Sequence, residues 1–444
     1  MKRRGIAMKL RSITIGGFRN LKKTTINFDG LTTLIALNSY GKSNVLRGIE
    51  FAVNFYKASP ALRQKYFKLE SALPLNQATC YDDFYFEMHY ENTGADLEEK
   101  NVSEVIYGYT FKWYRNDETG AKITAEWLRV KPCDSQKFSQ IIKREEDSYL
   151  YKSSESGRCS KKTTAADDEL LIHKLAAIDN YFCVDTIKQI FQMEIYIDHH
   201  LDASREYEVH PIISTQEDVL ALDSSSGIPR TFAILKEKHP DEYERLTNAF
   251  CQLFPNISQI EVKEYPINMG DIEGLPKEIP YKIAKSAFVL WVVDDTLNQP
   301  IRFEDLSDGA KRILWMLTCL VKANLNNLVL VAIEEPENSI HPRLLQAYLN
   351  IIHQMLGNCS ILMTSHSPYI VGYLPPEALM IGIPTEKGEA YFYPVNRTQV
   401  NNLIKDAKDA NMTTGGYIFD LLSGSDDDTE QLAQYLDGCV IESE

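Results

Sequence analysis

Six consecutive apolar residues, Leu328-Val329-Leu330-Val331-Ala332-Ile333, end abruptly in Glu334-Glu335. An unbroken run of that length predicts a strand buried on both faces of a parallel sheet, because a half-exposed strand would alternate apolar with polar residues. The chain is thereby committed to α/β architecture. Sheets of this kind offer the carboxyl ends of their strands to ligands. Two carboxylates at such an end are either solvated glutamates or a pair suited to phosphoanhydride hydrolysis, in which one can hold Mg²⁺ through water and the other can take the proton of an attacking water.

A second strand end follows the same logic. Leu34-Ile35-Ala36 is a short apolar run that breaks at Asn38-Ser39-Tyr40-Gly41, after which Val45, Leu46, Ile49, Ala52, Val53 and Tyr56 fall at helical spacing. Strand, loop and helix are the context of a phosphate loop. Ala36-Leu37-Asn38-Ser39-Tyr40-Gly41-Lys42-Ser43 fits G-x-x-x-x-G-K-[ST] except at its first position. Backbone N–H groups at the helix start would wrap the phosphates, Lys42 would neutralise the β and γ oxygens, and the Ser43 hydroxyl would ligate Mg²⁺. The first glycine normally serves a tight turn close to the phosphate, so Ala36 predicts slow or weakened nucleotide use.

Leu306-Ser307-Asp308-Gly309-Ala310-Lys311-Arg312 opens a helix whose apolar face is Ile313, Leu314, Leu317, Leu320 and Val321. Its free N–H groups, with Ser307, Lys311 and Arg312, make either a second anion site or an ordinary helix start capped by Ser307 or Asp308. In Thr364-Ser365-His366-Ser367-Pro368 a histidine follows another apolar strand, and it should emerge at the same sheet edge as Glu335. His199-His200, near Asp198 and Asp202, reads as a surface feature because adjacent side chains point apart.

Leu10–Ile15 alternates as a half-buried strand, and aromatic-rich alternation from Asp83 to Val130 predicts antiparallel strands. Residues 131–170 are polar and charge-mixed, which predicts a mobile loop or inserted segment, and 170–260 reads as helical with breaks at Asp223–Gly227 and near Pro255. Pro266, Gly270, Gly274, Pro276 and Pro280 mark a loop before a strong strand at Ser286–Val293. A helix over 342–356, a strand at Ile361–Thr364 and a polar tail follow, in which Asp426-Asp427-Asp428 predicts acidic disorder. The division expected is 8–130 (phosphate loop and antiparallel β lobe), 131–255 (largely helical insertion, a partner or sensor region), 256–395 (second part of the catalytic head) and 396–444 (tail), with residues 1–7 an extension.

The net charge of −15 over 444 residues excludes a wholly basic nucleic-acid coat, so any such contact must be local. The eight cysteines form no C-x-x-C, which points away from a zinc site or a disulfide framework. No apolar stretch reaches about 18 residues, so a cytoplasmic protein without membrane contact is expected.

Phosphate loop, Leu-Ser-Asp-Gly, Glu-Glu after an apolar strand and Ser-His-Ser, in this order, resemble the ATP-binding-cassette (ABC) type ATPases. The resemblance is to the branch holding the structural-maintenance, Rad-type and RecF-like heads and the overcoming-lysogenization-defect ATPases. Ile13–Leu21 looks like that branch's opening strand with its Phe18-Arg19-Asn20, and Glu334–Pro342 looks like its Walker B and D-loop. The fold implied is an α/β ABC-type head with a mostly parallel phosphate-loop core sheet, an antiparallel β lobe and a largely helical insertion.

The resemblance further implies ATP and Mg²⁺ as ligands. Asn38, Ser39, Tyr40, Gly41, Lys42, Ser43 and Asn44 would hold the nucleotide, with Arg19 and Asn20 nearby. Ser43 and Glu334 would serve the metal, Glu335 would be the general base and His366 the switch. Ser307 and Gly309 would meet the γ-phosphate of a second subunit, giving a head-to-tail homodimer or higher even oligomer with ATP sandwiched between subunits. No sustained heptads suggest a coiled-coil tether, and too little chain remains for an appended TOPRIM nuclease. The chain is therefore similar to nuclease-free ATPase subunits of bacterial anti-phage systems such as PARIS, Septu and certain retrons. Such a subunit would control a separate effector, a TOPRIM or HNH nuclease, with DNA or a phage protein as trigger. A RecF-like repair ATPase that binds DNA across its dimer is the alternative.

Overall fold

The computed structural model describes residues 7–93, 101–115, 120–146, 148–198, 205–208, 212–214, 220, 227–267 and 281–439. The extension at 1–6, His199-His200 and the breaks at 223–226 and 270–280 lie outside these. The chain forms two compact units, one of Met1–Ile197, Asn327–Pro336 and Asn358–Glu444, the other of Asp198–Asn326 and Glu337–Gly357.

In the first unit, β1 (Ala7–Gly16), β2 (Thr24–Asn27), β4 (Phe84–Thr93), β5 (Val102–Lys112), β6 (Lys122–Pro132), β7 (Ser139–Glu145), β8 (Ser148–Lys152) and β9 (Cys159–Lys162) form an eight-stranded sheet, ordered β2-β1-β4-β5-β6-β7-β8-β9. Every neighbouring pair is antiparallel. The inward residues of β4 and β5 are largely aromatic, and they receive α1 (Lys42–Lys57), whose Phe55 stacks on Phe111 at 4.6 Å and whose Phe51 meets Phe84 edge-on at 5.1 Å. Such offset and edge contacts add to the burial that pins α1 to the lobe.

Strands β7–β9 correct the expectation of a mobile loop over 131–170. Ile141 and Ile142 are fully buried, and Arg144 turns inward to donate to the Glu169 carbonyl at 2.7 Å while its guanidinium lies over the Tyr149 ring. An inward arginine broke the apolar alternation that would have betrayed the strand. After α2 (Pro60–Tyr66) and the lobe come α3 (Leu171–Ala176) and α4 (Val184–Gln192). The start of α3 is held by the fully buried Glu126 of β6, which accepts from the backbone N–H of Leu171 at 2.5 Å and of Ile172 at 3.0 Å.

The second sheet of this unit is ordered β10-β16-β17-β3-β18-β19, from β3 (Leu31–Ile35), β10 (Ile195–Asp198), β16 (Leu330–Glu334), β17 (Ser360–Ser365), β18 (Leu379–Gly382) and β19 (Phe392–Pro394). Strands β16, β17, β3 and β18 run parallel, and β19 pairs antiparallel with β18. Leu330 to Ile333 and all six residues of β17 are buried, as the apolar runs required. Residues 400–433 of the tail are largely helical: α10 (Val400–Asp409), α11 (Thr414–Ser423) and α12 (Asp426–Ala433) bury Leu403, Ile418, Leu421 and Leu432 in a common cluster, which Val371 of α9 (Pro368–Tyr373) joins. Asp426-Asp427-Asp428 occupies the first turn of α12, where Ser425 and Asp428 form a capping box, so the three acids complement a helix N-terminus.

In the second unit, α5 (Gly227–Lys238) and α6 (Pro240–Leu253) precede a sheet ordered β12-β14-β15, from β12 (Ile257–Pro266), β14 (Ser286–Asp294) and β15 (Ile301–Arg302). A short pair joins β11 (Ile212–Ser214) to β13 (Tyr281–Ile283). The long α7 (Asp308–Asn326) is buried along most of its length, and α8 (Pro342–Met355) follows the turn after Glu337. No described helix is long and apolar enough to cross a membrane.

Candidate nucleotide site

Three loops leave one edge of the parallel sheet side by side. Glu334 is level with Thr364, and Thr364 with Leu34, so Glu335, His366 and Ala36 each begin the loop just beyond its strand. With neighbouring strands about 4.8 Å apart, the acidic pair lies two strand spacings from the phosphate loop, with the histidine between them.

Glu335 has φ +46, a left-handed backbone that aims its side chain away from the strand direction. Its N–H donates to the Thr364 carbonyl at 3.0 Å, and its Oε1 lies 3.0 Å from His366 Nδ1. Both side chains are partly open, 35% for Glu335 and 44% for His366, so a water can reach the carboxylate. Glu334 is half-buried at the end of β16.

The left-handed positions of the phosphate loop are Ser39 (φ +62) and Gly41 (φ +132), and Ala36 is not among them. Ala36 therefore has a backbone that any residue adopts, so the turn itself does not call for glycine there. Lys42 is buried and its Nζ donates to the carbonyls of Ala36 at 2.7 Å and Leu37 at 3.1 Å. Ser43 and Asn44 lie in the first turn of α1, and Asn38 and Ser39 are exposed.

Arg19 and Asn20 reach this loop. Arg19 NH1 donates to Asn44 Oδ1 at 2.8 Å, Asn44 Nδ2 to Asn20 Oδ1 at 2.7 Å, and Asn20 Nδ2 to the Tyr40 carbonyl at 2.9 Å. Arg19 takes φ +53, and its pKa is lowered by burial first and by the charge of Arg47 second.

Ser307 and Gly309 belong to the second unit. Ser307 is exposed and its Oγ accepts from the Ala310 N–H at 3.3 Å, so it caps the helix, while Lys311 Nζ meets Asp308 at 2.9 Å. A side chain at 309 would run into the carbonyl oxygen of Ser339, itself left-handed at φ +67. The glycine thus has a packing reason within its own unit. Sequence reasoning missed Gly382 and Tyr391 as neighbours of the phosphate loop. No local motif marks them, because they meet the loop more than three hundred residues after it.

With this geometry in view, residues 8–371 match the family model described as an AAA ATPase domain. The chain belongs to that ATPase family. Its fold, a phosphate-loop core sheet with an antiparallel β lobe, is that of an ABC-type ATPase head. No curated protein matches this ATPase. Solved structures similar to it include an Smc head bound to the C-terminal winged-helix domain of ScpA (13% identity, 89% of this chain and 99% of that one, TM-score 0.49). An Smc head with an extended coiled coil bound to the ScpA C-terminal domain, from Pyrococcus furiosus, is 11% identical over 90% of this chain and 100% of that one, with TM-score 0.48. An SMC head from Thermotoga maritima is 10% identical over 87% and 99%, with TM-score 0.41.

Proposed function

We propose that this ATPase binds and hydrolyses ATP at the edge formed by Ala36, Glu335 and His366, and that hydrolysis requires a second copy of the chain. The observation that carries the reading is the 3.0 Å contact between Glu335 and His366, one strand from the phosphate loop. In this reading Asn38 to Asn44 wrap the phosphates, Lys42 exchanges its two carbonyl partners for β and γ oxygens, and Arg19 and Asn20 brace the loop from the side.

The Ser43 hydroxyl and the Glu334 carboxylate are hard oxygen donors of the kind Mg²⁺ takes, and with water between they suit it. When bound, the ion would neutralise charge on the phosphate oxygens. Glu335 takes the proton of the attacking water, and His366 holds the carboxylate in the orientation that does so. Ser307 and Gly309 of a second copy complete the γ-phosphate pocket, giving a head-to-tail dimer.

The output of assembly is control of a separate effector, a nuclease of the TOPRIM or HNH kind, in anti-phage defence. This part rests on the resemblance of the ordered motifs to nuclease-free subunits of such systems. The test is phosphate release and size-exclusion chromatography of the purified chain with ATP and Mg²⁺. Hydrolysis that is lost in Glu335→Gln, with a dimer accumulating in that variant, supports the reading. A chain that neither assembles with ATP nor changes when Glu335 is replaced contradicts it.

A further inference from the structure

The phosphate loop is packed by chain that lies beyond the matched segment 8–371. Ile35, the residue before Ala36, is fully buried in a cluster with Leu379, Ile381, Leu403 and Ile418, and Leu37, the residue after, packs against the same cluster. Tyr40 points into the fold. Its hydroxyl donates to the Tyr391 carbonyl at 3.0 Å and accepts from the Tyr391 N–H at 3.1 Å, while its ring meets Phe392 edge-on at 5.5 Å.

Glycines make this approach possible. Any side chain at Gly382 would collide with the Tyr40 ring and come within 3.0 Å of the Ala36 Cβ, so the glycine is what lets β18 lie this close to the loop. On the other side, a Cβ at Gly41 would sit 2.8 Å from that of Ala390, and Asn20 Nδ2 also donates to the Gly388 carbonyl at 3.0 Å. The strand pair is in turn tied to the end of the chain. Asn396 N–H donates to the Tyr435 carbonyl at 2.8 Å and Asp437 N–H to the Pro394 carbonyl at 2.9 Å.

We propose that Leu379–Asp437 is a clamp that holds the phosphate loop in its nucleotide-accepting shape, with Tyr40 as the positioning residue through which it acts. The inference rests on the reading that ATP binds this loop. Tyr40 thus serves the nucleotide from behind, through its own carbonyl and N–H, and not by touching it with the ring. Ordinary core packing would make the same contacts matter to stability alone, whereas a clamp makes them matter to affinity.

The experiment measures ATP affinity by calorimetry and nucleotide-free melting temperature in parallel. Tyr40→Phe keeps the ring and removes the hydroxyl, and Ile418→Val removes one methylene remote from the loop. A clamp gives an affinity loss of about 5- to 10-fold for Tyr40→Phe, with melting shifted by no more than about 2 °C, and faster amide exchange over Ser39–Ser43 in Ile418→Val. Wild-type affinity in both variants overturns the clamp, as does an affinity loss that merely tracks a large fall in melting temperature. A wild-type chain that binds no ATP removes the proposed function and the clamp with it, and that control separates the two failures.

Discussion

Glu335 and His366 lie 3.0 Å apart, Oε1 to Nδ1, on loops that leave adjacent parallel strands. The histidine bears on the carboxylate that would activate water, and the left-handed backbone of Glu335 turns that carboxylate toward it. If this contact orients the base, His366→Ala should lower kcat by about 10- to 100-fold with little change in KM. Steady-state ATPase kinetics check this. A rise in KM at unchanged kcat would move His366 into ground-state binding.

Ala36→Gly should not improve the loop. Because φ at Ala36 lies outside the left-handed region, the added freedom benefits only the unfolded chain, and a loss of about 0.4–1 kcal/mol of stability is expected. Nucleotide affinity should stay within about 2-fold of the wild type, measured by calorimetry.

Gly309→Ala tests the packing role of the glycine in the Leu-Ser-Asp-Gly signature that opens α7. The new methyl group meets the Ser339 carbonyl, and a destabilisation of about 1–3 kcal/mol follows from such overpacking. Chemical denaturation in the absence of nucleotide reads it directly, since no second subunit is needed for the clash.

The buried Glu126 gives the β lobe a pH dependence. Burial pushes its carboxyl up to about 7, against the hydrogen bonds from Ile172 and Leu171 and the charge of Arg144, which lower it. A carboxyl with a folded pKa above its unfolded value contributes stability that is fully present below about pH 4.5 and lost as pH rises through 7. The shift corresponds to roughly 3 kcal/mol. Melting curves between pH 5 and 8 should therefore fall less steeply in Glu126→Gln than in the wild type.

The parts of the site that were legible in sequence are those whose chemistry is local. The apolar run into Glu334-Glu335, the Gly41-Lys42-Ser43 helix start and His366 after its strand are each a few residues long, and each stands at the expected strand end. What escaped was set by distant partners. Strands β7–β9 carry their charge inward as well as outward, as Arg144 shows, and so hid their period. The acidic run at 426–428 reads as disorder by composition, yet it caps a helix packed through Leu432. The close packing of Gly382 on Tyr40 and Ala36 is likewise announced by no pattern near the loop.

The central claim, an ATP site assembled from two copies of this chain, is tested most directly by mixing two inactive variants. Lys42→Ala removes the phosphate-loop lysine and Ser307→Arg blocks the signature helix start, so each homodimer lacks both sites. A mixed dimer retains one intact site, made of the phosphate loop of one copy and the signature of the other. Equal mixing should restore about a quarter of wild-type phosphate release. A mixture no more active than the two variants measured separately would contradict a site shared between subunits.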